Sequence, residues 1–218
     1  MGYEFDWSAV LTPAVWLPAL GITLAYALGT IVGGVIIGLF AGIWVLSPSF
    51  VVRAPIVAYI QIFRCTPLLV QIIWFYYALP IITGYSLSAW FASGLGLTLY
   101  MGAFCAEIFR GGVISIERGQ WNAARALGMS HTQLLTHIIL PQAVRRMMPP
   151  FVNQSVLQLK NTSLLYVVAV PDLMYTSYEI AARTFRPLEV YTAVAVIYFA
   201  VLFPLTMFAK RVEARADR

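Results

Sequence analysis

Two cations interrupt otherwise apolar stretches of this 218-residue chain, and their settings point to chemistry. Lys160 stands in QLKNTS, flanked by Gln158, Asn161, Thr162 and Ser163. Arg64 stands in QIFRCTPLLVQ, near Gln61, Thr66 and Gln71. A charge in an apolar setting must be paired, neutralised or exposed to a cavity, because its desolvation otherwise costs several kcal/mol. Lys160 suits a substrate pathway, since polar clustering is expected where backbone lines a cavity. Arg64 could line the same pathway, or snorkel and bond to neighbouring carbonyls. Either cation would attract an anion or a zwitterion. Catalysis is not expected: His131 and His137 fall on different helical faces, with no carboxylate beside them. No catalytic or metal-ligating residue is assigned.

These residues must be held by membrane helices. The chain is 61% hydrophobic and 11% charged, against roughly 25% charged in an ordinary soluble domain. Its mean hydropathy is +0.80. A spanning helix needs about 20 mostly apolar residues. Five stretches qualify: Thr23–Leu46, Ile56–Ile82, Leu87–Ala106, Phe151–Val170 and Val190–Ala209, with a sixth only if Asp6–Leu20 enters the interface. One domain over 1–218 is expected, with a membrane core over about 20–210. Cys65 and Cys105 read as small core residues. The opening MGYEFDWS has acids and no basic stretch, unlike a cleaved signal peptide.

Lysine and arginine set the orientation. Arg53, Arg110, Arg118, Arg125, Arg145, Arg146, Lys210, Arg211, Arg215 and Arg218 fall on one side, and only Arg183 and Arg186 on the other. The N-terminus is predicted outside and the C-terminus cytoplasmic. Gly29, Gly33, Gly34, Gly38 and Gly42 in the first span include repeated spacings of four, which let another helix approach closely.

The cytoplasmic segment GQWNAARALGMSHTQLLTHIILPQA, residues 119–143, is different in kind. A helix over Gln120–Leu127 is predicted to end at a left-handed Gly128. A second begins at the Ser130/Gln133 capping box and ends or kinks near Leu140, before Pro141. Ala123, Ala124, Leu127 and Gly128 make a small, nearly flat face that could enter a groove of another protein. Leu134, Leu135, Ile138 and Ile139 could pack back on the bundle or lie against lipid. An unpartnered surface helix is the plain alternative. A DNA-binding helix-turn-helix fits poorly, because Thr132–Leu140 carries no arginine to reach a base edge; no nucleic-acid partner is expected.

The segment resembles the coupling motif of bacterial ABC importer permeases, roughly E-A-A, three residues, G, nine residues, I, then L-P. Asn122, Ala123, Ala124, Gly128, Ile138, Leu140 and Pro141 occupy those positions, with Asn122 replacing the leading glutamate. FRCTPLLVQIIWFYYALP, YMGAFCAEIFRGGVISIERGQWNAARALGMS and LKNTSLLYVVAVPDL resemble permeases of polar-amino-acid importers, and YEFDWS is similar to the start of some glutamate/aspartate permeases. The resemblance implies an all-α type I ABC importer permease fold, with about five membrane helices and a coupling segment over about 117–141. It implies coupling through Asn122, Ala123, Ala124, Leu127, Gly128 and Pro141. It also implies an ABC ATPase dimer, a second permease and an extracytoplasmic amino-acid-binding protein, in a bacterial inner membrane. The chain has no G-x-x-x-x-G-K-[ST] loop, so ATP and magnesium are expected on the ATPase and no cofactor here.

Carboxylates are absent between Asp6 and Glu107, between Arg118 and Pro171, and between Val190 and Arg211. With Lys160 first and Arg64 second as cations an anionic cargo would meet, that favours an acidic, glutamate- or aspartate-like cargo. Glutamine or a basic amino acid is the alternative within the same role. A channel or secondary transporter independent of an ATPase is the alternative of another class, and a membrane-anchored adaptor a third.

Overall fold

The computed structural model describes residues 4–10 and 13–216, and within them every regular element is helical. In chain order these are α1 (Pro13–Trp44), α2 (Phe50–Cys65), α3 (Leu68–Ile73), α4 (Leu79–Thr83), α5 (Ala89–Ile114), α6 (Arg118–Ala126), α7 (His131–Gln133), α8 (Leu140–Asn161), α9 (Leu173–Thr184) and α10 (Pro187–Ala216). A short 3-10 turn, Trp7–Ala9, precedes α1, and a longer one, Thr162–Val168, follows α8.

Among the described residues, α1, α5 and α10 are each long and apolar enough to cross a membrane alone. The expected span Ile56–Ile82 is instead a helix broken at Thr66–Pro67, and Phe50–Cys65 meets Leu68–Thr83 at 108°. Proline disfavours α-helical backbone at the residue before it, and Thr66 is extended (φ −102°, ψ 134°). Freed carbonyls at this depth need donors, and the Gln71 amide supplies one. Its Nε2 donates to the Phe63 and Thr66 carbonyls, each at 2.9 Å. The expected span over 151–170 is likewise discontinuous. It is the second half of α8 followed by the 3-10 turn, and Gln154, Gln158 and Asn161 make it too polar to stand alone in lipid.

The same device carries the helices through Leu79–Pro80 and Leu140–Pro141. A π-helical stretch, Trp74–Ala78 or Leu134–Ile139, comes immediately before each Leu-Pro pair. The Leu79 and Leu140 amides donate to the Trp74 and Leu135 carbonyls, five residues back. A proline ring presses on the carbonyl four residues before it. A wider turn relieves that contact, so Pro141 does not end the helix as expected. The chain runs on into α8.

α1 and α5 form the central seam. Cβ atoms built on Gly34, Gly38 and Gly42 would strike Met101, Cys105 and Phe109 in turn, so the two helices run parallel at close approach. Gly29 lies off this seam: a Cβ built there would meet no atom of another element within 4 Å among the described residues. Cys105 is buried in the seam, whereas Cys65 is exposed at the break. At the N-terminal end, Trp16 and Ala19 pack with Leu173, Val190 and Val194, joining α1 to α9 and α10. At the other end, Ile116, Ala124, Leu134, Ile139, Ala143 and Met147 make one cluster. Fully burying a leucine or isoleucine contributes about 1.5–3 kcal/mol, so this cluster fastens the 118–139 segment to α5 and α8.

Candidate functional site

A cleft of about 660 Å³ opens between α5 and α8. It runs from Ser115 and Arg146, beside the 118–139 segment, to Phe104 and Leu157 deeper in the bundle. The α8 wall presents Arg146, Pro150, Asn153 and Leu157, whose alternating spacing of four and three keeps them on one helical stripe. Lys160 continues that stripe by one more step, in the last turn of α8, where the helix dipole favours a cation. Its side chain is exposed, and among the described residues it makes no hydrogen bond or ion pair.

Arg64 enters the cleft from the broken span. Its Nη1 lies 3.3 Å from Glu107 Oε2, and its guanidinium stacks 5.4 Å above the Phe104 ring. Glu107 is also held from its own helix: Arg110 donates through Nε to Oε1 at 2.7 Å and through Nη2 to Oε2 at 2.9 Å. α5 continues to Ile114, past the expected end at Ala106, which places Glu107 inside the span. Arg64 thus has a carboxylate partner on its own chain, Glu107, in addition to the carbonyls that its sequence setting suggested. Two guanidiniums share one carboxylate, so the cluster retains a net positive charge.

Three of the expected pathway residues do not line the cleft and bond within the bundle. Gln158 is fully buried, and its Nε2 donates to Thr30 Oγ1 and to the Leu97 carbonyl, each at 3.0 Å, tying α8 to α1 and α5. Gln71 braces the break after α2. Thr162 is buried, its hydroxyl donating to the Leu159 carbonyl at 2.7 Å. Asn161 is half-buried, and Ser163 donates to the Lys160 carbonyl. Of the expected set, only Arg64 lines the cleft and only Lys160 extends its stripe. The sequence reading missed Phe104, Glu107, Arg110, Asn153 and Gln154. The Glu-x-x-Arg spacing at 107 and 110 was the available signal, since side chains three apart on a helix face each other.

The 118–139 segment is built largely as its residues suggest. α6 ends at Ala126, and Gly128, just past its Leu127 cap, has a φ of +76°, the left-handed conformation. The Ser130 hydroxyl accepts from the Gln133 amide, and the Gln133 side chain accepts from the Ser130 amide. Leu134 and Ile139 pack back on the bundle. Ala124 needs correcting: it does not share the outer face with Ala123, Leu127 and Gly128. Its methyl is buried among Ile116, Leu134 and Ile139, and no partner can reach it. Asn122, Ala123, Gly128 and Pro141 are exposed, and Leu127 is 81% exposed. Val113, Ile114, Arg118, Trp121, Asn122 and Arg125 line a smaller hollow of about 380 Å³ beside them.

Comparison with known proteins agrees with this architecture. Residues 34–218 match the family of binding-protein-dependent transport system inner membrane components. The glutamine transport system permease protein GlnP of Escherichia coli K12 is 37% identical over 215 residues, covering 97% of this chain and 98% of that one. The histidine/lysine/arginine/ornithine permease HisM of the same organism is 35% identical over 223 residues, covering 98% and 89%. Among solved structures, an amino acid ABC transporter crystallised with histidines superposes with a TM-score of 0.91 at 29% identity, over 98% of this chain and 100% of that one. The methionine transporter MetNI, at 20% identity and a TM-score of 0.69 over 92% and 97%, shares the fold. The chain belongs to the inner-membrane components of binding-protein-dependent transport systems, as the permease of an amino-acid ABC importer.

Proposed function

We propose that this permease lines, with a second permease subunit, an inward route for a polar amino acid delivered by an extracytoplasmic binding protein. ATP and magnesium sit on a separate ATPase dimer, and this chain, acting as one domain, catalyses nothing. The exposed turn around Ala123, Leu127 and Gly128 enters the ATPase. The N-terminus lies outside and the C-terminus in the cytoplasm, so the cleft mouth at Ser115 and Arg146 faces inward. The observation that carries the reading is the α8 stripe, which leads from that mouth through Asn153 and Leu157 to an unpaired Lys160.

Lys160 and the net positive Arg64–Glu107–Arg110 cluster support a cargo with an acidic or neutral side chain, glutamate or aspartate first. Glutamine is the second reading, favoured by the 37% identical glutamine permease. The test is ATP-driven uptake by the permease–ATPase complex in vesicles, with its binding protein, using glutamate, glutamine and arginine. Lys160→Met should lower uptake of glutamate most, and should leave thermal stability within about 0.5 kcal/mol, as for an unbonded surface residue. Reduced stability with unchanged uptake per folded complex would remove Lys160 from the pathway. Preference for arginine would overturn the cargo assignment. Cysteines at Ser130 and Gly84 should label from opposite sides of the membrane, and same-side labelling would refute the orientation.

A further inference from the structure

We infer that Arg64 and Glu107 form a subsite that reads the main-chain zwitterion of the cargo, its α-carboxylate and α-ammonium together. The inference rests on the reading of the α5/α8 cleft as the pathway, and deepens it. Both groups are reachable: their side chains are 35% and 23% exposed, and both line the cleft. Both have unused capacity. A guanidinium carries five N–H donors, yet Arg64 makes no hydrogen bond among the described residues, only the ion pair at 3.3 Å. A carboxylate offers about four acceptor positions. Arg110 takes one on each oxygen of Glu107.

The geometry suits an α-amino acid in particular. Arg64 and Glu107 are a fixed dipole, positive towards α2 and negative towards α5. A zwitterion laid alongside in the opposite sense puts its carboxylate against the guanidinium and its ammonium against Glu107. One carbon separates the two groups of the ligand, and a single 3.3 Å gap separates those of the protein. The Phe104 ring beneath Arg64 and the Arg110 fork behind Glu107 hold both groups before the ligand arrives. Gln154 in the same wall is more than nine-tenths buried, and its Nε2 has no hydrogen-bond partner among the described residues. Such a subsite is indifferent to the side chain, so discrimination falls to other residues.

The test is equilibrium binding to the purified permease–ATPase complex without ATP or binding protein. The probes are L-glutamine, N-acetyl-L-glutamine, which lacks the ammonium, and decarboxylated glutamine, which lacks the carboxylate. Wild-type complex should bind L-glutamine at least about tenfold more tightly than either one-ended probe. A one-ended probe that matches L-glutamine overturns the inference with no variant needed. Glu107→Gln should weaken L-glutamine and the decarboxylated probe about tenfold and spare the N-acetyl probe. Arg64→Gln should weaken L-glutamine and the N-acetyl probe and spare the decarboxylated one. Equal losses for all three probes would make the pair a structural brace only, against the inference. Uptake is measured in parallel with wild-type vesicles. Failure there refutes the importer reading, whereas the binding pattern reports on the subsite independently.

Discussion

Replacing Gly38 with alanine should separate two helices that the fold holds in parallel contact. The added Cβ would lie 2.3 Å from Cys105 Cβ, 2.9 Å from the Gly102 carbonyl oxygen and 3.0 Å from the Ala106 amide nitrogen. Carbon atoms pack at about 3.5–4.0 Å, so α1 and α5 must part by more than about 1 Å. Two of the three neighbours are backbone atoms, which cannot rotate away. The cost therefore sits at the upper end of the overpacking range, about 3 kcal/mol. Alanine is a better helix former than glycine by about 1 kcal/mol, leaving a net loss of about 2 kcal/mol. At about 2–4 °C per kcal/mol for a chain of this size, the Tm should fall by about 4–8 °C. The control is Gly29→Ala on the same helix, where the added Cβ would meet no atom of another element within 4 Å among the described residues and only the helix-forming gain applies. Thermal unfolding of the detergent-purified protein reads both. Equal shifts for the two variants, or a more stable Gly38→Ala, would refute the seam as the reason for the glycine.

Three other outcomes are expected. Gln158→Leu should remove the two hydrogen bonds that tie α8 to the Thr30 hydroxyl and the Leu97 carbonyl, costing about 1–3 kcal/mol; an unchanged Tm with impaired uptake would return Gln158 to the pathway. Gly128→Val forces a branched side chain to φ +76°, a strain of about 1–3 kcal/mol, and should reduce co-purification of the ATPase while membrane insertion survives. Normal co-purification with uptake intact would refute docking at this turn. Asp6 is held below its ordinary pKa of 3.8 by hydrogen bonds from the Ser8 hydroxyl and backbone amide. Because the folded-state pKa is the lower one, this anchoring is present above 3.8 and is lost as pH falls through the folded value. Hydrogen exchange at the Ser8 amide should rise over that window, relative to its intrinsic rate, in wild type and not in Asp6→Asn.

Hydropathy and turn chemistry made much of this protein legible. The uncharged run Thr23–Leu46 lies almost wholly in α1, and Gly128, Ser130 and Gln133 marked a turn that is present as read. The break at Thr66–Pro67 was missed because hydropathy averaged over 56–82 stays high across it and carries no direction, although Pro67 was the local signal. Polarity misled at Gln158 and Gln71, since a glutamine that bonds two helices together has the same sequence signature as one that meets a solute. Glu107 escaped notice because Arg110 and Arg64 neutralise it across three-dimensional contacts, allowing the helix to continue past the point where charge seemed to end it. Ala124 and Leu127 were assigned to one face by angular spacing. Leu127 already lies in the turn, where helical angles no longer apply.

The π-helical stretches before Pro80 and Pro141 bear on how such a chain can change length. A turn closed by a bond five residues back holds one residue more than an α-turn, while the helices on either side keep their phase. Loss of one residue from 134–139 would tighten that turn to an ordinary one and leave the α8 stripe facing the cleft, at the cost of returning the Pro141 ring to the carbonyl four residues before it. The same loss between Gln142 and Leu157 would rotate everything beyond it by about 100°, from 3.6 residues per turn, and carry Lys160 off the stripe. Insertions and deletions in this lineage should therefore collect in the wide turn and be absent from the helix that follows it.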